Sequence, residues 1–243
     1  QLASKDLLDA YSYGLMYGAI LALVAYNLVL YVGLRINTYL LYSIFLLSFI
    51  ALNLAYTGHG YQWLWPESPF WQRWASAILM AAGATGGFAF MLQFLDIKQT
   101  WPRLYRLIVI GCIGFCVSVL VAMLLDELVI ALLISIVFIF SFYVSAVTLG
   151  IVSLRIGNEF AKYFLIASIL TICGGIITAN AVWGVIPFSG LTYRAADIGM
   201  TLDAVLLALA LAARFNITQG EKLAAEKMAG IDLLTNLNNR RSF

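Results

Sequence analysis

Seven separate apolar stretches, each of about 20 residues or more, decide what this chain can fold into. They run over 11–33, 38–57, 74–95, 104–125, 128–154, 163–186 and 195–213, with short polar connections between them. An α-helix rises about 1.5 Å per residue, so about 20 apolar residues cross a hydrocarbon core of about 30 Å. Charged residues make up 11% of the chain, against about 25% in a soluble domain, and 63% of it is hydrophobic. A water-soluble enzyme with its own core is thereby excluded. The expected fold is an all-α membrane protein, a bundle of seven transmembrane helices with the lipid bilayer as its first partner.

The basic residues set an expected orientation, because cytoplasmic loops of membrane proteins hold an excess of Lys and Arg. One side of the bundle carries Arg35, Lys98, Arg103, Arg106, Arg155, Lys162 and Arg214. The other carries Lys5, Arg73 and Arg194 among Asp6, Asp9, Glu67, Asp126, Glu127 and Asp197. This predicts an extracytoplasmic N-terminus and a cytoplasmic C-terminus, as an odd number of spans requires. The chain starts at Gln1 with no basic stretch before the first apolar run, which reads as a fragment or a processed product. After Arg214 the composition changes to strong helix formers with Glu and Lys interleaved, which predicts that the seventh helix continues into the cytoplasm over 215–231. Ile217, Ala224, Met228 and Ile231 fall at coiled-coil spacing, interrupted by Glu221, and suggest a homodimer through this helix.

Seven spans bring retinal proteins and G-protein-coupled receptors to mind, and both fail on residues. The seventh span holds no lysine for a Schiff base and no N-P-x-x-Y, and the third ends in Leu95-Asp96-Ile97 rather than Asp/Glu-Arg-Tyr. Asp203 is the one carboxylate deep in a span. Burying it ionised would cost several kcal/mol, so it must be neutral, hydrogen-bonded or in contact with water. One reading makes it a polar switch with Asn27, Asn53 and Asn180; the other makes these groups interhelical glue, together with Thr201.

The Gly14/Gly18 and Gly83/Gly87 pairs let helix backbones approach closely, inside the bundle or at a dimer face. Cys112 and Cys116 sit one helical turn apart in an apolar run and, like Cys173, read as structural; no zinc pattern is present. His59 stands without a second ligand nearby, so no metal site is expected. The loop over 58–71 is dense in aromatics, and its Tyr61, Trp63, Trp65 and Trp71 suit either an interfacial belt or a docking face for an outer ligand or domain. Nothing in the chain pairs a nucleophile with a base, cradles a phosphate or recognises nucleic acid, so no catalytic residue is assigned.

Two stretches resemble known families. Asp232, Leu234, Thr235, Leu237, Asn239, Arg240, Arg241 and Phe243 match the opening of a GGDEF diguanylate cyclase domain, D-x-L-T-G-L-x-N-R-R-x-F, with Asn236 in place of the usual Gly. Asn also tolerates the left-handed backbone that Gly supplies. The bundle resembles the bacterial seven-transmembrane receptors with diverse intracellular signalling modules. The likeness rests on Tyr13-Gly14-Leu15-Met16-Tyr17-Gly18, Tyr26-Asn27-Leu28, Tyr39-Leu40-Leu41-Tyr42 and Gly60-Tyr61-Gln62-Trp63-Leu64-Trp65-Pro66. In that family an outer sensory domain precedes the bundle and an enzyme domain follows it. A GGDEF domain joins two GTP molecules into cyclic di-GMP, with GTP and Mg²⁺ held by each protomer of a dimer. The chain stops at Phe243, ahead of the signature loop, so by this resemblance it is itself inactive. Asp232 can pair with Arg240 or Arg241 across the turn into that domain, or the pair is an ordinary surface salt bridge worth under about 1 kcal/mol.

The expected organisation is an extracytoplasmic opening segment over 1–10, a seven-helix sensor over 11–214, a signalling helix over 215–231 and the start of a GGDEF domain over 232–243. The expected function is the receptor region of a diguanylate cyclase in a bacterial inner membrane. A small-solute or ion transporter, or a receptor acting through a partner protein, are the alternatives.

Overall fold

The computed structural model describes residues 2–229, and the motif over 232–243 lies outside the described residues. The chain order is α1 (Leu2–Leu34), α2 (Asn37–Thr57), α3 (His59–Trp63), α4 (Pro69–Phe94), α5 (Ile97–Thr100), α6 (Pro102–Leu124), α7 (Leu128–Arg155), α8 (Ala161–Val182), α9 (Gly190–Tyr193) and α10 (Ala195–Ala229). Among the described residues there is no strand, and seven helices (α1, α2, α4, α6, α7, α8 and α10) are long and apolar enough to cross a membrane. The short α3, α5 and α9 cap the bundle between them.

Local chemistry moves two boundaries away from those expected. The third span begins at Pro69, ahead of Trp74, because Ser68 caps the helix by accepting from the Trp71 amide at 3.4 Å, and Pro69 occupies a first-turn position where no N–H is needed. Arg73 therefore lies in the helix, reaching Asp126 of the α6–α7 turn at 3.1 Å. The sixth span ends at Val182 rather than Ile186: Gly184 takes φ 75°, and the Val185 amide folds back onto the Asn180 carbonyl at 2.9 Å.

Buried side chains form an aromatic column through the middle of the bundle. Phe90 of α4 lies 5.0 Å from Tyr42 of α2 and 5.4 Å from Phe94, ring centre to ring centre, and Phe138 of α7 stacks on Phe115 of α6 at 4.7 Å. Such offset and tilted contacts add to the area buried by each ring. The outer surface is equally apolar. Along α6 the exposed Leu107, Ile110, Ile113, Val117, Leu120 and Leu124 recur every three or four residues, a stripe that suits hydrocarbon and not water.

The tightest helix pair is α8 with α10. A Cβ on Gly174 would lie 2.3 Å from the Ala195 carbonyl oxygen, and one on Gly199 would lie 2.7 Å from that of Leu170. Only glycine lets these backbones meet so closely. Of the glycine pairs singled out from sequence, Gly87 packs beneath the Phe142 ring and Gly83 approaches Ser48, whereas a Cβ on Gly14 or Gly18 would meet nothing within 4 Å.

Candidate functional site

Three charged residues of α10, with their polar neighbours, mark three levels of the bundle. At the end where α10 begins, Asp197 is buried in its first turn. The Asn53 amide of α2 donates to its carboxyl at 2.5 Å and accepts from the Tyr17 hydroxyl of α1 at the same distance. A carboxyl–amide–phenol chain thus ties α1 and α2 to α10, more than 140 residues further along the chain. Thr57 extends it by donating to the Asn53 carbonyl at 2.8 Å and lying 3.0 Å from Nδ1 of His59. Gly58, at φ 81°, ends α2 and turns α3 back so that His59 stacks on Trp63 and meets Tyr13 edge-on at 5.0 Å. Arg194, just ahead of α10, lies 3.9 Å above the Tyr13 ring, donates to the Ser12 hydroxyl, and sits close enough to act on Asp197 electrostatically. Tyr13 and Tyr17 share one face of α1 because they are four residues apart.

Asp203 occupies the middle level and is buried, facing Ser168 and Thr171 of α8 and Tyr143 of α7. Its carboxyl and the Thr171 hydroxyl are neighbours, yet neither Oδ2 nor that hydroxyl closes a hydrogen bond within 3.5 Å among the described residues. The asparagines expected beside Asp203 are elsewhere. Asn53 serves Asp197, Asn27 is buried on α1 and donates to the Leu23 carbonyl at 2.8 Å, and Asn180 donates to the Ile176 carbonyl of its own helix. The cause is axial register: Asp203 is six residues, about 9 Å, further along α10 than the level at which α2 presents Asn53. The switch group read from sequence therefore divides between two levels.

At the far end Arg214 closes the bundle. Its guanidinium pairs with Asp96 at 2.5 Å, donates to the Phe94 carbonyl at 2.8 Å and lies above Phe94 and Phe160. Asp96 adopts φ 55° at the start of α5, which turns its carboxylate toward α10. Both residues are visible in the sequence, but 118 positions separate them and nothing local pairs them.

Of the four aromatics named from the sequence, Tyr61, Trp63 and Trp65 precede α4 and Trp71 lies in its first turn. Trp65 and Trp71 meet edge-to-face at 6.0 Å, with Trp65 donating to Gln72 at 3.1 Å and covering Gly60. Tyr61 and Trp63 point outward. Cys112 is buried, and Cys116 lies 3.3 Å from the Thr85 hydroxyl.

Seven apolar spans, with α10 tied by polar contacts to α1, α2 and the α4–α5 turn, define a multi-pass membrane protein. The family model described as 7TM diverse intracellular signalling matches residues 9–214, and the chain belongs to that family. Its role is accordingly that of a membrane receptor in signalling. No curated protein and no solved structure matches the chain.

Proposed function

We propose that this bundle is the sensor and transmitter of a receptor-type diguanylate cyclase in a bacterial inner membrane, N-terminus outside and C-terminus cytoplasmic. The observation that carries the reading is α10, one helix that bears Asp197, Asp203 and Arg214 and runs to Ala229, close to the cyclase-like stretch from Asp232. Asp197 and Arg214 are 17 residues apart, about 25 Å along the axis. A ligand or outer domain at the Arg194 end favours one arrangement of the Tyr17–Asn53–Asp197 chain. The rigid helix carries the difference to the Arg214–Asp96 clasp and the segment beyond it. This requires only two arrangements with unequal affinity for the signal. In a homodimer the result is two cyclase domains brought into or out of register, each holding one GTP and Mg²⁺. The basic residues at the Arg214 end support the cytoplasmic placement.

The test is cyclic di-GMP production from GTP and Mg²⁺ in membranes, comparing residues 1–243 with the same protein continued through its natural sequence past Phe243. Production by the continued protein alone is expected; production by neither overturns the cyclase reading.

A further inference from the structure

A cavity of about 710 Å³ opens sideways from the bundle, within the size range of small-molecule sites. Exposed Phe140 and Val144 of α7 and Ile176 of α8 stand at its rim, Phe45 and Ser48 of α2 lie within, and Met200 of α10 lines it on the side of Asp203. Every lining residue belongs to a helix segment apolar enough to span a bilayer, so the rim meets hydrocarbon and an occupant enters from the membrane. Gly175 gives the cavity its room: a Cβ built there meets nothing within 4 Å.

The lining chemistry narrows the occupant. No lining residue is charged, so an ionic head would be buried without a counter-charge. Of the four hydroxyls, two are spent on their own helices, Ser48 on the Ile44 carbonyl at 2.7 Å and Thr148 on that of Val144 at 2.8 Å, and Tyr143 borders the space around Asp203. The Thr171 hydroxyl is different: the residue is 8% exposed, and its hydroxyl lies beside the Asp203 carboxyl without closing a hydrogen bond within 3.5 Å to it or to another described residue. A buried hydroxyl without a partner is costly, and a ligand that satisfies it gains accordingly. Thr171 and Met200 also border the small space around Asp203, so an occupant touches the wall of the buried carboxyl on α10.

We propose that this cavity binds a single-chain apolar molecule with a small uncharged hydrogen-bonding head, of the fatty-alcohol class, its head on Thr171 and its chain leaving between α7 and α8. The site is separate from the polar cluster at the Arg194 end, and it stands whether or not a cyclase follows the bundle.

The experiment uses the purified chain in phosphatidylglycerol nanodiscs with a photoactivatable long-chain alcohol, mapping the labelled peptides by mass spectrometry. A phospholipid carrying the same photoreactive group on its acyl chain is run in parallel. The alcohol is expected to label 139–148 and 171–179, with labelling lost in Gly175→Leu, weakened in Thr171→Val and kept in Gly114→Leu, a control at an open position on α6. Melting curves confirm that each variant is folded, and Thr171→Val alone carries the test if Gly175→Leu does not fold. Labelling of α6 as strong as that of α7 and α8 overturns the proposal. So does phospholipid labelling of equal strength at the same peptides with no effect of Thr171→Val, which would mark an ordinary lipid-filled crevice.

Discussion

Asn53 is used on both sides of its amide, donating to Asp197 and accepting from Tyr17. Replacing it with Ala removes both bonds, leaving the buried carboxyl without its amide donor and the phenol with only His59 Nδ1 at 3.5 Å, and such a loss costs about 1–3 kcal/mol. Asn53→Ala should therefore lower the melting temperature of the detergent-solubilised protein, and Tyr17→Phe should lower it less, since the Asn53–Asp197 bond survives. Equal, negligible shifts would mean that the chain holds nothing together. The Arg214–Asp96 pair is about one-third exposed, so its worth lies in geometry more than in stability. Arg214→Asp and Asp96→Arg should each disturb signalling output, and the double exchange should restore part of it; a double exchange as damaged as the worse single variant would discount the clasp. Sequence reasoning found Asp203 because a carboxylate mid-span is conspicuous. It passed over Asp197 because a carboxylate at the edge of a span is ordinary, and only the fold shows that α2 and α1 bury it.

The helices themselves were legible, since length and hydropathy suffice to mark a segment that must cross about 30 Å of hydrocarbon. Their partners were not. Apolar residues cover every side of these helices, so residue type does not separate the face toward lipid from the face toward a neighbour: on α6 the exposed Val117 and the buried Val119 are both valines. Small residues carry that information in part: the Gly83/Gly87 pair lies at contacts, but the closest approach, between α8 and α10, rests on Gly174 and Gly199, which belong to different helices and form no spaced motif. At this interface a single methyl group has a definite consequence. Gly199→Ala places Cβ 2.7 Å from the Leu170 carbonyl oxygen, where backbone rather than a flexible side chain must yield. Overpacking of this kind costs about 1–3 kcal/mol. Gly175→Ala, into open space, should leave the melting temperature close to the parent's. If the two variants melt alike, the α8–α10 contact is looser than these distances state.

Across the whole molecule, the arrangement of charge and the continuity of α10 are the grounds for the direction proposed for the bundle. Single cysteines introduced in a cysteine-free background at Glu67 and at Glu159, which lie at opposite ends, should react in intact cells with a membrane-impermeant reagent at Glu67 only; the reverse pattern would invert the orientation. That direction matters because α10 passes from the buried cluster at Asp197 to the segment beyond Arg214 without a break. If it transmits as a rigid helix, output must depend on the phase between the bundle and whatever follows. One residue inserted between Asn216 and Met228 turns the downstream part by about 100°, whereas four turn it by about 40° past a full revolution and seven bring it nearly back into phase. In the protein continued through its natural sequence, cyclic di-GMP output should fall or invert with one inserted residue and recover progressively with four and seven. A flexible tether would tolerate all three alike. Equal output across the series would leave the three polar levels of α10 as fasteners of the bundle, with the signal reaching the cytoplasm by another route.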